Sequence, residues 1–106
     1  MLYELRQYRI KKGMRDKFVR FMEREIIPFQ TSKGMVIVGS FVGEEEGDLY
    51  VWVRRFKNEA ERVRLYKAVY ESAHWKNKIA PRVPEMMVRE KSVITRLTPT
   101  RKSVLQ

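Results

Sequence analysis

Four alternating residues, Tyr50, Trp52, Arg54 and Phe56, carry the strongest chemical signal in the chain. At strand spacing they project to one side. A guanidinium set between apolar rings on an inward face must find an anion, a ring face or water. In a pocket between a sheet and its helices, Arg54 holds the carboxylate, phosphate or enolate of a small ligand. Trp52 and Tyr50 then supply walls and one hydroxyl. The competing reading is structural: Arg54 pairs with a carboxylate of the chain, such as Glu4 or Glu25. Arg6 and Tyr8 share a face of their own strand and reach toward the same cavity. Tyr66 and Tyr70, one turn apart on a helix, aim hydroxyls into it or serve as plain core.

Other chemistry is thinly represented. His74 is the single histidine, and no Ser or Asp stands near it in a credible relay, so its case as a general base is weak. With no cysteine, disulfides, thiol catalysis and cysteine-ligated metals are excluded. No phosphate-cradling glycine motif is present, and Glu44-Glu45-Glu46 reads as a solvated turn rather than a metal cluster. The sequence calls for neither metal nor cofactor.

The net charge of +10 invites a nucleic-acid reading. Yet the cations are dispersed, with Asp16, Glu23 and Glu25 mixed among those of the first helix. That pattern is a solubilising surface, and nucleic acid is not an expected partner. The opening Met1-Leu2-Tyr3-Glu4-Leu5 is no signal peptide, and no apolar run approaches the roughly 20 residues needed to span a bilayer. Membrane association is not expected, and the cytoplasm is the default location.

The elements that must position these side chains follow from periodicity. Residues 2–10 read as a strand, broken at Lys12-Gly13. Met14, Phe18, Phe21, Met22, Ile26 and Phe29 then recur at helical steps, and Pro28 is expected to end or kink that helix near Ile27. Gly34 closes the turn into a strand over 35–42. The loop Gly43–Gly47 makes a hairpin, its glycines expected to supply unusual backbone angles, and 48–56 is the partner strand. Asn58 caps a second helix, with Glu61 completing an approximate capping box. A short turn or helix spans Trp75–Ile79, punctuated by Pro81 and Pro84, and 90–97 is the last strand. Residues 1–97 form one domain and 98–106 a tail, loose unless a partner holds it.

This order gives an α+β fold of ferredoxin-like βαββαβ type, a four-stranded antiparallel sheet with two helices on one face. Residues 35–42 and 49–53 are apolar on both sides, so the face without helices needs cover. A second copy is the simplest, and a homodimer is expected.

The pattern Tyr50-x-Trp52-x-Arg54-x-Phe56 resembles the NIPSNAP family. So do Tyr3-Glu4-Leu5-Arg6-x-Tyr8, Ile27-Pro28, Glu61-Arg62 and Ser72 followed by Trp75. The resemblance covers roughly residues 2–97. It implies a dimeric α+β barrel, akin to stress-responsive barrel proteins and small cofactor-independent monooxygenases. In that frame Trp75 plugs one end of the barrel or lids the pocket. Two functions compete. One is a pocket for a small anionic or aromatic ligand, lined by Arg54, Trp52, Tyr50, Arg6, Tyr8, Tyr66, Tyr70 and Trp75. It would serve an isomerase, a decarboxylase or a cofactor-free oxygenase. The other is a non-enzymatic protein-interaction or stress-response module.

Overall fold

Segments rich in β-branched and aromatic residues build four strands: β1 (Leu2–Ile10), β2 (Val36–Val42), β3 (Leu49–Phe56) and β4 (Met87–Leu97). The computed structural model describes residues 1–106. All pairings are antiparallel, in the order β2-β3-β1-β4. The four-stranded antiparallel sheet expected from the sequence is therefore present. The barrel is not: β2 and β4 each pair with a single neighbour, so the sheet is open at both edges.

Three helices cover the sheet, not two. The first, α1, runs without a break through α-helical Arg15–Phe21, π-helical Met22–Ile26 and α-helical Ile27–Ser32. It therefore passes through Pro28 instead of stopping at Ile27. The π turn makes this possible, with the Ile27 N–H reaching back to the Met22 carbonyl. One extra residue in that turn frees the helix of the ordinary bond pattern just where proline would clash with it. Gly34, at φ +106°, then reverses the chain into Met35 and β2 at a conformation only glycine adopts without strain.

Helix α2 (Glu59–Tyr70) starts at Asn58, whose side chain accepts from the Glu61 N–H at 2.8 Å. The Glu61 carboxylate returns to the Lys57 N–H at 3.0 Å, one residue before the cap itself. We expect Asn58→Ala to lower stability by about 1 kcal/mol, the usual cost of a lost polar cap, measured by urea unfolding. Helix α3 is the third: π-helical Trp75–Ile79, 3₁₀ Ala80–Arg82 and α-helical Val83–Met86. Pro81 and Pro84 sit in the first turns of its short pieces, where a missing N–H costs nothing, so they continue α3 rather than end it. The chain enters β4 directly at Met87, three residues earlier than its apolar pattern suggested. The hairpin glycines also differ from expectation. Neither Gly43 nor Gly47 has positive φ; at Gly43 a Cβ would lie 2.5 Å from the Glu46 carbonyl, so space is the requirement there.

The core has two parts on the helical side. Tyr8, Ile10, Tyr50 and Trp52 meet Phe18, Phe21, Met22 and Ile26 of α1 and Ile79 and Met86 of α3. Met35 and Phe56 meet Leu65 and Val69 of α2. On the opposite face Val36, Phe41, Val93 and Leu97 are exposed, and Leu5, Leu49, Val51 and Val53 are half-buried. Tyr3 is covered on that face, and its hydroxyl donates to the Gln106 carbonyl at 2.8 Å, which brings the tail back to β1. No helix is long and apolar enough to cross a membrane.

Both edge strands carry a register break. In β2, Val38 is an extra residue between the pairs Ile37↔Arg54 and Gly39↔Val53. In β4 the break is larger. Gln7 pairs with Val93 and Arg9 with Val88, so Arg89–Ser92 bow out opposite Tyr8 alone.

Candidate functional site

Arg54 lies at the junction of the two core regions and is 0% exposed. Strand alternation points it inward, and three elements supply its partners. Nη2 donates to Glu4 Oε1 on β1 at 2.8 Å and to the Tyr66 hydroxyl on α2 at 2.9 Å. Nη1 donates to Gln30 Oε1 on α1 and to the Tyr70 hydroxyl on α2, both at 2.8 Å. Its Nε is buried without a partner. The rings of Trp52 and Tyr66 flank the guanidinium at 4.8 and 5.2 Å. Of the two acids weighed from the sequence, Glu4 is the partner; Glu25 instead holds Arg82 at 2.7 Å. Gln30 was out of reach of sequence reasoning because it lies beyond the expected end of α1.

Glu4 answers more than one cation. Arg6 Nη1 and Arg62 Nη1 stand 3.9 and 3.7 Å from its oxygens, beside Arg54. The cluster carries excess positive charge, and Arg6 delivers it to the open side. Arg6 Nε donates to the Tyr8 hydroxyl at 2.8 Å and Nη1 to the Tyr66 hydroxyl at 3.2 Å. Burial works against the charge on Arg6 and Arg54. The surrounding tyrosines, with Glu4 for Arg54, outweigh it, and both groups stay above the ordinary arginine value.

Beside this cluster lies a cavity of about 400 Å³. Arg6 and Tyr8 of β1, Trp52 of β3 and Tyr70 of α2 form one side. Phe18, Met22 and Ile26 of α1 form another, and Trp75, Ala80 and Val83 of α3 a third. Arg89, Ser92 and Ile94 make the rim, where the β4 bulge draws the edge strand away from Tyr8. The lining includes two guanidiniums and no carboxylate.

Of the eight residues singled out from the sequence, Arg6, Tyr8, Trp52, Tyr70 and Trp75 line this cavity. Trp75 meets the Tyr70 ring edge-on at 4.8 Å. Arg54 and Tyr66 stand behind the wall, joined to it through Tyr70 and Arg6. Tyr50 is set apart, its hydroxyl 2.6 Å from Ser40 Oγ and its ring against Phe18. His74 is exposed against Phe29 at 4.6 Å and does not line the cavity. Arg89 and Ser92 escaped sequence reasoning, because strand periodicity gives no sign of a bulge.

The tyrosine hydroxyls differ in how they use their protons. Tyr66 receives from Arg6 and Arg54 and donates to Glu4 at 2.6 Å. Tyr8 receives from Arg6 Nε and from Trp52 Nε1, at 2.8 and 3.0 Å, and donates to no protein atom. Tyr70 receives from Arg54 and, more distantly, from Gln30, and likewise donates to none.

Burial pushes the Tyr66 hydroxyl up to about 12, with Arg54 opposing. Burial also pushes Tyr50 up to about 12, with the Ser40 hydrogen bond opposing. An unperturbed tyrosine ionises near 10. The stability tied to these two neutral hydroxyls is complete below about pH 10 and is lost as pH rises through 12. A spectrophotometric phenolate titration of the folded protein should therefore show Tyr50 and Tyr66 ionising late, as unfolding begins. Tyr50→Phe and Tyr66→Phe should each remove one late step.

The NIPSNAP family profile matches residues 3–102. Among solved structures, protein Atu4242 from Agrobacterium tumefaciens is 24% identical, covers 100% of both chains and superposes with a TM-score of 0.90. A NIPSNAP domain protein from Burkholderia xenovorans is 19% identical, over 97% of this chain and 98% of its own, at 0.86. An antibiotic biosynthesis monooxygenase is 16% identical, over 94% of this chain and 99% of its own, at 0.68. At these identities the likeness is one of fold. No curated protein matches the chain significantly.

Proposed function

The chain belongs to the NIPSNAP family, and from that premise we propose that it binds a small, largely apolar organic anion in the cavity between sheet and helices, as a homodimer. The observation that carries this reading is the lining: apolar rings and methionine side chains around Arg6 and Arg89, with no acid to neutralise them. A volume of about 400 Å³ falls within the range of small-molecule sites. The remaining N–H groups of Arg6 and the undonated protons of Tyr8 and Tyr70 all seek acceptor oxygens. Arg54, whose two terminal nitrogens are engaged by Glu4, Gln30 and two tyrosines, acts on the ligand only by holding Tyr70 and Tyr66 in place.

The test is a thermal-shift comparison of 3-phenylpropanoate with its amide. The acid should raise the melting temperature and the amide should not. Arg6→Met should weaken binding of the acid by about ten- to a hundred-fold, as loss of a charge-assisted hydrogen bond implies. Equal shifts from acid and amide, or none from either, would sink the reading.

The second copy belongs on the face that the helices leave bare. Exposed Val36, Phe41, Val93 and Leu97 and half-buried Val51 and Val53 make it broadly apolar. Two open sheets packed face to face would bury it. Sedimentation equilibrium should give twice the 12.8 kDa chain mass, and Val93→Lys should shift the protein toward monomer. A wild-type monomer at micromolar concentration would refute the dimer and leave the pocket reading standing.

A further inference from the structure

Resting on that pocket reading, we propose that the cavity interconverts the enol and keto forms of an aromatic 2-oxo acid, with Tyr8 carrying the proton. The placement of Tyr8 carries the inference. Its oxygen accepts two N–H bonds, from Arg6 Nε at 2.8 Å and Trp52 Nε1 at 3.0 Å, while its own proton has no acceptor in the protein. It lines the cavity beside the β4 bulge, within a ring of apolar side chains. A hydroxyl arranged in this way has a proton free to leave, and two fixed donors already facing the charge that remains.

The step balances without an oxidant or reductant. The bound enol loses its O–H proton to water, giving an enolate whose oxygen charge Arg6 stabilises. The Tyr8 O–H bond breaks and its proton passes to the enolate carbon, where the carbon–carbon π pair forms the new C–H bond. The oxygen charge collapses into the carbonyl. The pair left on Tyr8 Oη rests against the Arg6 and Trp52 N–H groups until water returns the proton. In reverse, the same step exchanges the proton on the carbon beside the carbonyl with solvent. Tyr66 is unsuited to this role because its proton is committed to Glu4 at 2.6 Å.

The experiment follows deuterium entry at the benzylic carbon of phenylpyruvate in D₂O by proton NMR. Thermal shift with non-enolisable 3-phenylpropanoate is read in parallel. The wild-type chain should speed exchange at least a hundred-fold over buffer. Tyr8→Phe should abolish that acceleration while keeping a reduced but measurable 3-phenylpropanoate shift, carried by Arg6 and Tyr70, and Arg6→Met should lose both. Should Tyr8→Phe fail to fold, Trp52→Phe removes one of the two donors and should slow exchange about ten-fold, with its pH profile displaced to higher pH. Binding without acceleration would overturn the proton-transfer role and leave the pocket reading intact. Absence of binding by both acids would overturn both. Full exchange activity in Tyr8→Phe would overturn the assignment of Tyr8.

Discussion

Glu4→Gln should lower the unfolding free energy by about 3–5 kcal/mol, the cost of leaving a buried charge without its partner. Arg54 is wholly enclosed, and Glu4 is the one carboxylate within reach of it. Removing that charge leaves three guanidiniums, Arg54, Arg6 and Arg62, around a neutral amide. The amide also turns one oxygen acceptor into a donor opposite Tyr66, which now donates to both carboxylate oxygens. For a domain whose total stability lies in the range of about 5–15 kcal/mol, this is a large fraction. Combining Glu4→Leu with Arg54→Met removes both charges and should recover part of the loss, since apolar replacement of an entire buried pair is often near neutral. Recovery will be incomplete because Gln30 and Tyr70 lose their donor. Urea unfolding of the single and double variants checks both statements. A single variant within 1 kcal/mol of wild type would show that the pair does not hold these elements together.

Trp52→Ala carries the second large effect, about 3–5 kcal/mol, as for other aromatic-to-alanine changes in cores. The ring is 2% exposed, lines the cavity, stacks on Arg54 at 4.8 Å and donates to Tyr8. Its loss merges the cavity with the space around the guanidinium and lets water reach Arg54. The variant should therefore also lose binding of 3-phenylpropanoate. Trp52→Phe keeps a ring against Arg54 and gives up the N–H and part of the ring volume, so its cost should be smaller, about 1–2 kcal/mol. Calorimetric unfolding together with the thermal-shift assay separates the two contributions.

The alternation Tyr50, Trp52, Arg54 and Phe56 placed β3 and its buried face correctly, because a two-residue period keeps these four side chains together and theirs are the bulkiest on the strand. The same logic put Arg6 and Tyr8 on the inner face of β1. Two features escaped it. Pro28 reads as a helix stop or kink to any local rule, yet the π turn Met22–Ile26 accommodates it, and α1 continues far enough to bring Gln30 to Arg54. The sequence Arg89-Glu90-Lys91-Ser92 looks like an ordinary polar strand opening, and only its pairing partner reveals that it bows away from Tyr8. Both misses have one cause: insertions of backbone relative to a neighbour are set by tertiary contacts. The barrel was carried over from the family resemblance, and strand pairing replaces it with an open sheet. The third helix was legible only as a short turn or helix over Trp75–Ile79; its continuation to Met86 was hidden by Pro81 and Pro84, which mark first turns as readily as last ones.

The interrupted edge strands bear on how the chain avoids fibrils. An open sheet offers two rows of unpaired amides, and a long flat border of that kind recruits strands from other molecules. Here one border is kinked at Val38, and the other is bent over four residues, three of them charged. Neither presents a continuous register for an incoming strand to copy. A polypeptide with so much uncovered aliphatic surface is thereby protected from ladder-like growth, and any encounter between copies is steered away from its borders.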